Sequence, residues 1–311
     1  MTGSIRISSP NATFQQWQAL LGNRHKRQRA GEFLVQGVRP ITLAVRHGWP
    51  LRALVYDAGR PLSRWARDTL DQTRAQHVAM TTELIAELGD KPGDPPELVA
   101  VAEIPPDDFG RIQKSGTFLG LAFDRPNSPG NIGTLIRSAD AFGAGCLIVT
   151  GHSADPYDPK SVRASTGSLF ALPVIRAEAA RTVLAWAEDT VSIVGTDEDG
   201  TADIAGHDLT RPTLLVVGNE TTGLSAAWRE SCDALLRIPI TGTASSLNAA
   251  SAGTIALYEA ARQRGAVGQR GAVGQRGAAG QRGHGSAPFT LVSSNLPQNR
   301  RGGCLCCSLL F

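Results

Sequence analysis

Apolar positions fall along the chain in two regimes. Up to about residue 102, short apolar runs alternate with stretches in which apolar residues recur every three or four positions. Residues 14–21 read as a short helix, and Phe33-Leu34-Val35 as a strand leading into Gly37. Val38, Ile41 and Val45 put one apolar face on a helix over 38–47, where Pro40 is tolerated because it falls in the first turn. Residues 51–56 and 98–102 read as strands, and 62–72 and 81–88 as helices. This alternation predicts a small α/β layer unit over 14–103.

From Phe118 onward the apolar runs are continuous, at 118–123, 146–150, 191–195, 213–217 and 234–238. Helical patterns lie at 131–143, 178–188 and 246–263. Short continuous runs suit parallel strands buried on both faces, so 118–263 is expected to form a second α/β unit. Residues 91–117 hold five Pro and three Gly, and 104–117 is the expected linker. Residues 1–13 are expected to be a flexible N-terminus. Over 264–311, Gly recurs at every third position from Gly265 to Gly283 within the repeat RGAVGQ, RGAVGQ, RGAAGQ. Without Pro the repeat does not support a collagen helix, and a disordered, dispensable Gly/Arg tail is expected.

Composition narrows the function classes. The chain has 311 residues, 41% hydrophobic and 19% charged, which supports a core and excludes wholesale disorder. No run of apolar residues is long enough to span a membrane, and the N-terminus lacks the apolar region of a secretory signal. The five Cys, at 146, 232, 304, 306 and 307, form neither a disulfide framework nor a zinc pattern. No metal is expected, and a reducing cytoplasm fits best. The net charge of +3 belongs to the tail: residues 262–311 hold seven Arg and no acid, against 24 basic and 28 acidic residues before them. Within the body, Arg24, Lys26, Arg27 and Arg29 cluster around His25. Such a cluster can neutralise phosphates, or be a solvated helix end.

Three segments carry candidate chemistry. FDRPNSPGNIGTLIRSADAFGAG (123–145) is a strand end, a Pro/Gly loop and a helix expected to open at Asn131, with Arg137 further in. An Asn cap and first-turn N–H groups can hold an anion. TLLVVGNETTGLS (213–225) runs a buried strand into Gly218-Asn219-Glu220. Glycines there let a backbone approach a ligand, and an acid beside a hydrophobic strand calls for a partner. It is neither a Walker loop nor a dinucleotide fingerprint. RIPITGTASSLNAASAGTIALYEAARQR (237–264) ends a strand at Ile238 and places Ser246, Leu247 and Asn248 before a helix rich in small residues. All three lie at strand C-termini, where open α/β sheets bind ligands.

Together these segments resemble the three signature motifs of the SpoU (TrmH-like) branch of the SPOUT RNA methyltransferases. The segment LLGNRHKRQRAGEFLVQGVRPITLAVRHGWPLRALVY resembles the L30e-like substrate-binding domain that precedes many SpoU domains. FQQWQALLGN, DRPNSPGNIGTLIRSADAFGA and DPKSVRASTGSLFALPV are especially similar to the avilamycin-resistance rRNA uridine 2′-O-methyltransferases of actinomycetes. Gln36 departs from the Glu common in that family, and the tail has no counterpart in it.

The resemblance implies a trefoil-knotted parallel sheet, a homodimer, and S-adenosylmethionine bound at Gly218, Ile238 and Leu247, with Thr196 and Asn219 as additions. It implies methyl transfer to a ribose 2′-hydroxyl, with 23S rRNA as the expected partner and resistance as an expected role. Arg137 would hold the RNA phosphate and the developing alkoxide, because an Arg rarely deprotonates. Glu220 would orient Arg137 or take the proton through water, Asn131 would fix the Arg or the ribose, and Ser246 and Asn248 would bond to cofactor or target. Lys160, Arg163 and Ser165 lie in a polar loop that could grip RNA or be plain solvated surface. A tRNA ribose methylase and a non-catalytic ribosome-associated RNA-binding protein remain open alternatives.

Overall fold

The computed structural model describes residues 5–89 and 94–265, and two sheets organise them. The first half runs β1 (Ile5–Ile7), α1 (Ala12–Gly22), α2 (Arg24–Ala30), β2 (Glu32–Gln36), α3 (Val38–Arg46), β3 (Leu51–Asp57), α4 (Arg64–Asp71), β4 (Gln76–Met80), α5 (Thr82–Glu87) and β5 (Leu98–Glu103). Its sheet has the order β1-β4-β3-β5-β2. β1, β4 and β3 are parallel, and β5 is antiparallel to both β3 and β2.

Side-chain alternation divides this sheet into two packed faces. Leu34, Val55, Val99 and Val101 meet Phe14, Trp17 and Leu20 of α1 and Ile85 of α5. Phe33, Val35, Leu54 and Ala100 meet Ile41 and Ala44 of α3 and Leu70 of α4. The 1–13 segment is not a loose arm from Ile5 onward. β1 pairs with β4, Ile7 is buried, and the Asn11 side chain accepts from Phe14 N at 2.9 Å to start α1.

The second half runs β6 (Leu119–Asp124), α6 (Pro129–Ala141), β7 (Leu147–Thr150), α7 (Pro159–Ser165), β8 (Val174–Ala177), α8 (Ala180–Ala187), β9 (Ser192–Thr196), β10 (Ala202–Asp203), β11 (Thr213–Val217), α9 (Ala226–Ser231), β12 (Ala234–Arg237) and α10 (Ala249–Gln263). The strand order is β10-β12-β9-β11-β6-β7-β8, and every pairing is parallel. Leu121, Phe123, Leu215 and Val217 face α6 and α10, while Ala122, Ile148, Leu214 and Val216 face α8 and α9. Burial on both faces is why these strands read as continuous apolar runs. α10 returns from the β12 side of the sheet to pack on β11 and α6. This is the crossover that a threaded C-terminal segment requires.

The expected linker is fastened down. Asp107 accepts from the backbone N and the Nε of Arg176, each at 2.8 Å, and the Phe109 and Trp186 rings lie 5.3 Å apart. The two halves share one apolar cluster, in which Phe33 packs on Tyr157 at 4.9 Å and Trp49 meets Phe170 edge-on at 5.1 Å. At the other end, Arg264 belongs to the folded body and not to the tail. Its guanidinium donates to the carbonyls of Leu209, Thr117, Phe118 and Arg211. The Gly/Arg tail beyond Gly265 and its three Cys lie outside the described residues.

Candidate active site

Because the second sheet is parallel, β6, β9, β11 and β12 end at one edge. Loops leaving three of them, together with the approach to α10, enclose a cleft of about 670 Å³. Thr196 ends β9 in its wall, Gly218, Asn219 and Glu220 follow β11, Ile238 follows β12, and Ser246 and Leu247 precede α10. All five residues expected to bind the cofactor thus line one cavity, as do Glu220 and Ser246.

Local geometry explains the loop after β11. Asn219 and Gly223 exchange backbone hydrogen bonds at 3.0 and 3.1 Å, closing a tight loop. A Cβ on Gly218 would collide with the backbone of Gly223 and Leu224, so this position requires Gly. The Asn219 amide is consumed in shaping the turn. It donates to Arg125 O at 2.6 Å and accepts from Thr221 N and Thr222 N at 2.9 and 3.1 Å. Arg125 itself is held at φ 50, a left-handed conformation rare outside glycine, and its Nη2 donates to Gly223 O at 3.2 Å.

Glu220 is the hub between motifs. Its carboxylate accepts from Asn131 Nδ2 at 2.9 Å, Asn127 N at 3.1 Å and Ser128 N at 3.4 Å. Asn248 Nδ2 in turn donates to Asn131 Oδ1 at 3.4 Å, while the Asn248 oxygen caps α10 through Ala250 N and Ser251 N. One polar chain therefore joins all three sequence motifs. Burial raises the Glu220 pKa, but the hydrogen bonds from Asn127, Asn131 and Ser128 outweigh it and hold the carboxyl below its ordinary value. Its charge faces no cation among the described residues.

Several expectations need correction. The helix opens at Pro129 and not at Asn131: Ser128 is the cap, its side chain accepting from Asn131 N at 3.3 Å. Pro at the first helical position fits that start. Glu220 holds Asn131 rather than Arg137, and a carboxylate stabilised in its ionised form is a poor proton acceptor. Arg137 is exposed on α6 and makes no ion pair among the described residues. Burial, the largest cause, pushes the thiols of Cys146 and Cys232 up to about 12, so neither supplies a thiolate nucleophile at neutral pH.

The basic cluster also divides. Arg27 is 2% exposed and bonded to Asp155 and Asp158, so it is not available to RNA. Arg24 is half-buried and donates to Ser153 O at 2.5 Å. Lys26 and Arg29 are exposed and line a groove of about 470 Å³ between α1 and α2. The polar loop around Lys160 is the helix α7, capped by Asp158. Lys160 and Arg163 are exposed on it, whereas Ser165 is buried and donates to Val162 O at 2.7 Å.

Sequence reasoning missed two residues of the cleft wall. Asp197, 4% exposed, pairs with Arg229 at 2.6 Å, and both line the cavity. No local pattern marks that pair. Ser128 and Arg125 were also missed, and the Ser-Pro step was a readable signal for the first.

Residues 11–100 match the model of the SpoU L30e-like domain, and residues 119–258 that of the SpoU rRNA Methylase family. The chain is 60% identical over 265 residues to the 23S rRNA (uridine(2479)-2′-O)-methyltransferase of Streptomyces viridochromogenes, covering 83% of this chain and 92% of that one. It superposes on the crystal structure of the SpoU methyltransferase AviRb from Streptomyces viridochromogenes, in complex with AdoMet, with a TM-score of 0.79 and 60% identity. That match covers 82% of this chain and 98% of the other. An AdoMet-bound rRNA methyltransferase from Sinorhizobium meliloti matches with a TM-score of 0.75 and 30% identity, over 83% and 97% of the two chains.

Proposed function

The chain belongs to the SpoU rRNA methylase family, and we propose on that premise that it methylates a ribose 2′-hydroxyl of 23S rRNA, a uridine being the expected target. It is an enzyme, and S-adenosylmethionine is its methyl donor. The observation that carries the reading is that the second and third motif loops line one cleft together with the loop after β9, while Glu220 in its wall ties the first motif to it.

The cleft suits the donor on its own chemistry. Its volume lies within the range of small-molecule sites. Ile238, Pro239 and Leu247 offer apolar surface, and the loops offer backbone groups. Asp197, Glu198 and Glu220 supply negative charge, with only Asp197 paired to an Arg, which suits a ligand carrying a sulfonium and an ammonium. When bound, the donor supplies an electrophilic methyl group.

The chain's own residues then position the hydroxyl. Asn131, fixed between Glu220 and Asn248, sets the start of α6 against the cleft. Arg137 has the charge and exposure to hold an RNA phosphate and stabilise the alkoxide as it develops. Ser246, in the cleft wall, is free to bond to cofactor or target. Lys26 and Arg29, with Lys160 and Arg163, form exposed basic surface for the rRNA backbone.

Assembly as a homodimer is part of this reading. Ile255 and Tyr258 on α10 are 38% and 43% exposed, and Tyr258 meets Phe142, just past the end of α6, edge-on at 5.8 Å. This apolar strip is suited to a second copy. No helix among the described residues is long and apolar enough to cross a membrane, and a cytoplasmic location is part of the same reading, since that is where the proposed ribosomal RNA substrate lies. Protection against a ribosome-targeting antibiotic is compatible with a methyl group on 23S rRNA.

The decisive experiment combines calorimetric titration with S-adenosylmethionine and mass-spectrometric mapping of 2′-O-methyl groups in 23S rRNA, with and without the protein. Donor binding and one new methylated uridine are expected. No donor uptake, or uptake with no new methyl group in 23S rRNA, overturns the assignment.

A further inference from the structure

The two halves meet along a polar seam with Arg27 at its centre. Its Nη1 donates to Leu20 O at 2.7 Å, its Nε to Asp155 Oδ2 at 2.8 Å, and its Nη2 to Asp158 Oδ2 at 3.3 Å. Both carboxylates are themselves fixed. Asp155, 4% exposed, accepts from Tyr157 N at 3.1 Å, and Asp158 accepts from Lys160 N at 3.0 Å to cap α7. Arg24 adds a bond to Ser153 O in the same loop. One guanidinium thus ties the end of α1 to the loop that launches α7.

Such a group is not explained by stability alone. A buried ion pair contributes little net stability compared with apolar packing of similar volume. Apolar packing already joins the halves through Phe33, Tyr157, Trp49 and Phe170. A planar fork of donors facing fixed acceptors adds orientation, because only one placement satisfies every bond.

The seam also has something to orient on each side. On one side Lys26 and Arg29 flank Arg27 on the same short helix and face the solvent groove. On the other, α7 lies hard against α6, where a Cβ on Gly133 would collide with the Ser161 carbonyl. The first turn of α6 carries Asn131, which Glu220 holds at the cleft.

We propose that Arg27 is a positioning residue for methyl transfer. It sets α2, with its exposed cations, at one fixed distance and angle from the cleft, so that RNA held on α2 presents one nucleotide to the donor. The inference rests on the methyl-transfer reading above.

The test uses the full chain with Arg27→Lys, which keeps the charge but cannot span both carboxylates, and Asp158→Asn, which removes one leg. Donor affinity by calorimetry is expected to stay within about twofold of the unaltered protein, since the cleft is untouched. With deproteinised 23S rRNA, Arg27→Lys should lower kcat/KM by about tenfold or more, and mapped methyl groups should spread to neighbouring nucleotides. Asp158→Asn should show a smaller loss in the same direction. Hydrogen exchange should speed up over α2 and α7. Methylation of the same single nucleotide at an unaltered rate overturns the proposal. So does a fall in donor affinity parallel to the fall in turnover, which marks simple unfolding. If the unaltered protein methylates no RNA, the functional reading falls and exchange decides alone: unchanged exchange over α2 and α7 in Arg27→Lys then overturns the clamp.

Discussion

Asn131 and Glu220 stand 89 residues apart in the chain and 2.9 Å apart in space, the amide donating to the carboxylate. With Asn127 N and Ser128 N also pointing at Glu220, the opening of α6 serves as an anion site filled by the protein's own side chain. The loops after β6 and β11 are thereby closed on each other before any ligand arrives.

Glu220→Gln should break this closure, because an amide turns an N–H toward the Asn127 or Ser128 N–H. Hydrogen bonds to charged groups contribute about 1.5–3 kcal/mol, so methylation should fall roughly tenfold to a hundredfold. The pH dependence has a definite sign. Burial raises the carboxyl pKa, the hydrogen bonds lower it further, and the net value lies below the ordinary 4.5. A depressed carboxylate contributes fully above its ordinary value, and the contribution is lost as pH falls through the folded value. The melting-temperature gap between the unaltered protein and Glu220→Gln should be constant from about pH 8 to about pH 5 and close in stronger acid. A gap that widens in acid would contradict this account.

Arg137→Ala should abolish methylation while donor affinity changes by less than about twofold, because Arg137 lies outside the cleft lining. Single-turnover assays alongside calorimetry separate the two effects. Retained turnover removes Arg137 from the mechanism.

Removing the chain after Gly265 should leave melting and methylation unchanged, whereas Arg264→Ala should not. Arg264 donates to four backbone carbonyls, through bonds of 2.5–3.0 Å. Losing them should cost on the order of 2 kcal/mol. For a body of this size that lowers the melting temperature by roughly 4–8 °C. Scanning calorimetry on both variants checks the contrast.

Ile255→Glu combined with Tyr258→Glu places two charges on the exposed strip of α10. Sedimentation should show monomers where the unaltered chain forms dimers, and methylation should fall with assembly. A monomeric unaltered chain would leave the strip without its assigned partner.

Much of the fold was legible because its strands declare themselves. TLLVV at 213–217 is buried at every position, and the observed strand has the expected bounds. QHVAM at 76–80 and VIRA at 174–177 were not legible, since each is short and mixes polar with apolar positions. α7 was read as a loop although Asp158-Pro159 is a readable cap and first turn. That Thr196, Gly218, Asn219, Ile238 and Leu247 share one cleft was legible because loops at the C-terminal ends of parallel strands gather at one edge. The fate of Arg27 was not, because its partners lie 128 and 131 residues away and a basic run looks alike whether solvated or buried. Glu220 was singled out correctly as an acid needing a partner, but which partner depended on where α6 begins.

The apolar cluster that runs from Phe33 through Tyr157 and Phe170 into the larger sheet has a thermodynamic corollary. The two halves cannot be melted one at a time, since parting them would bare aromatic surface on both. Heat should therefore produce one cooperative transition rather than two. A molecule would then be either folded through both sheets or unfolded, with no state that keeps one half and loses the other.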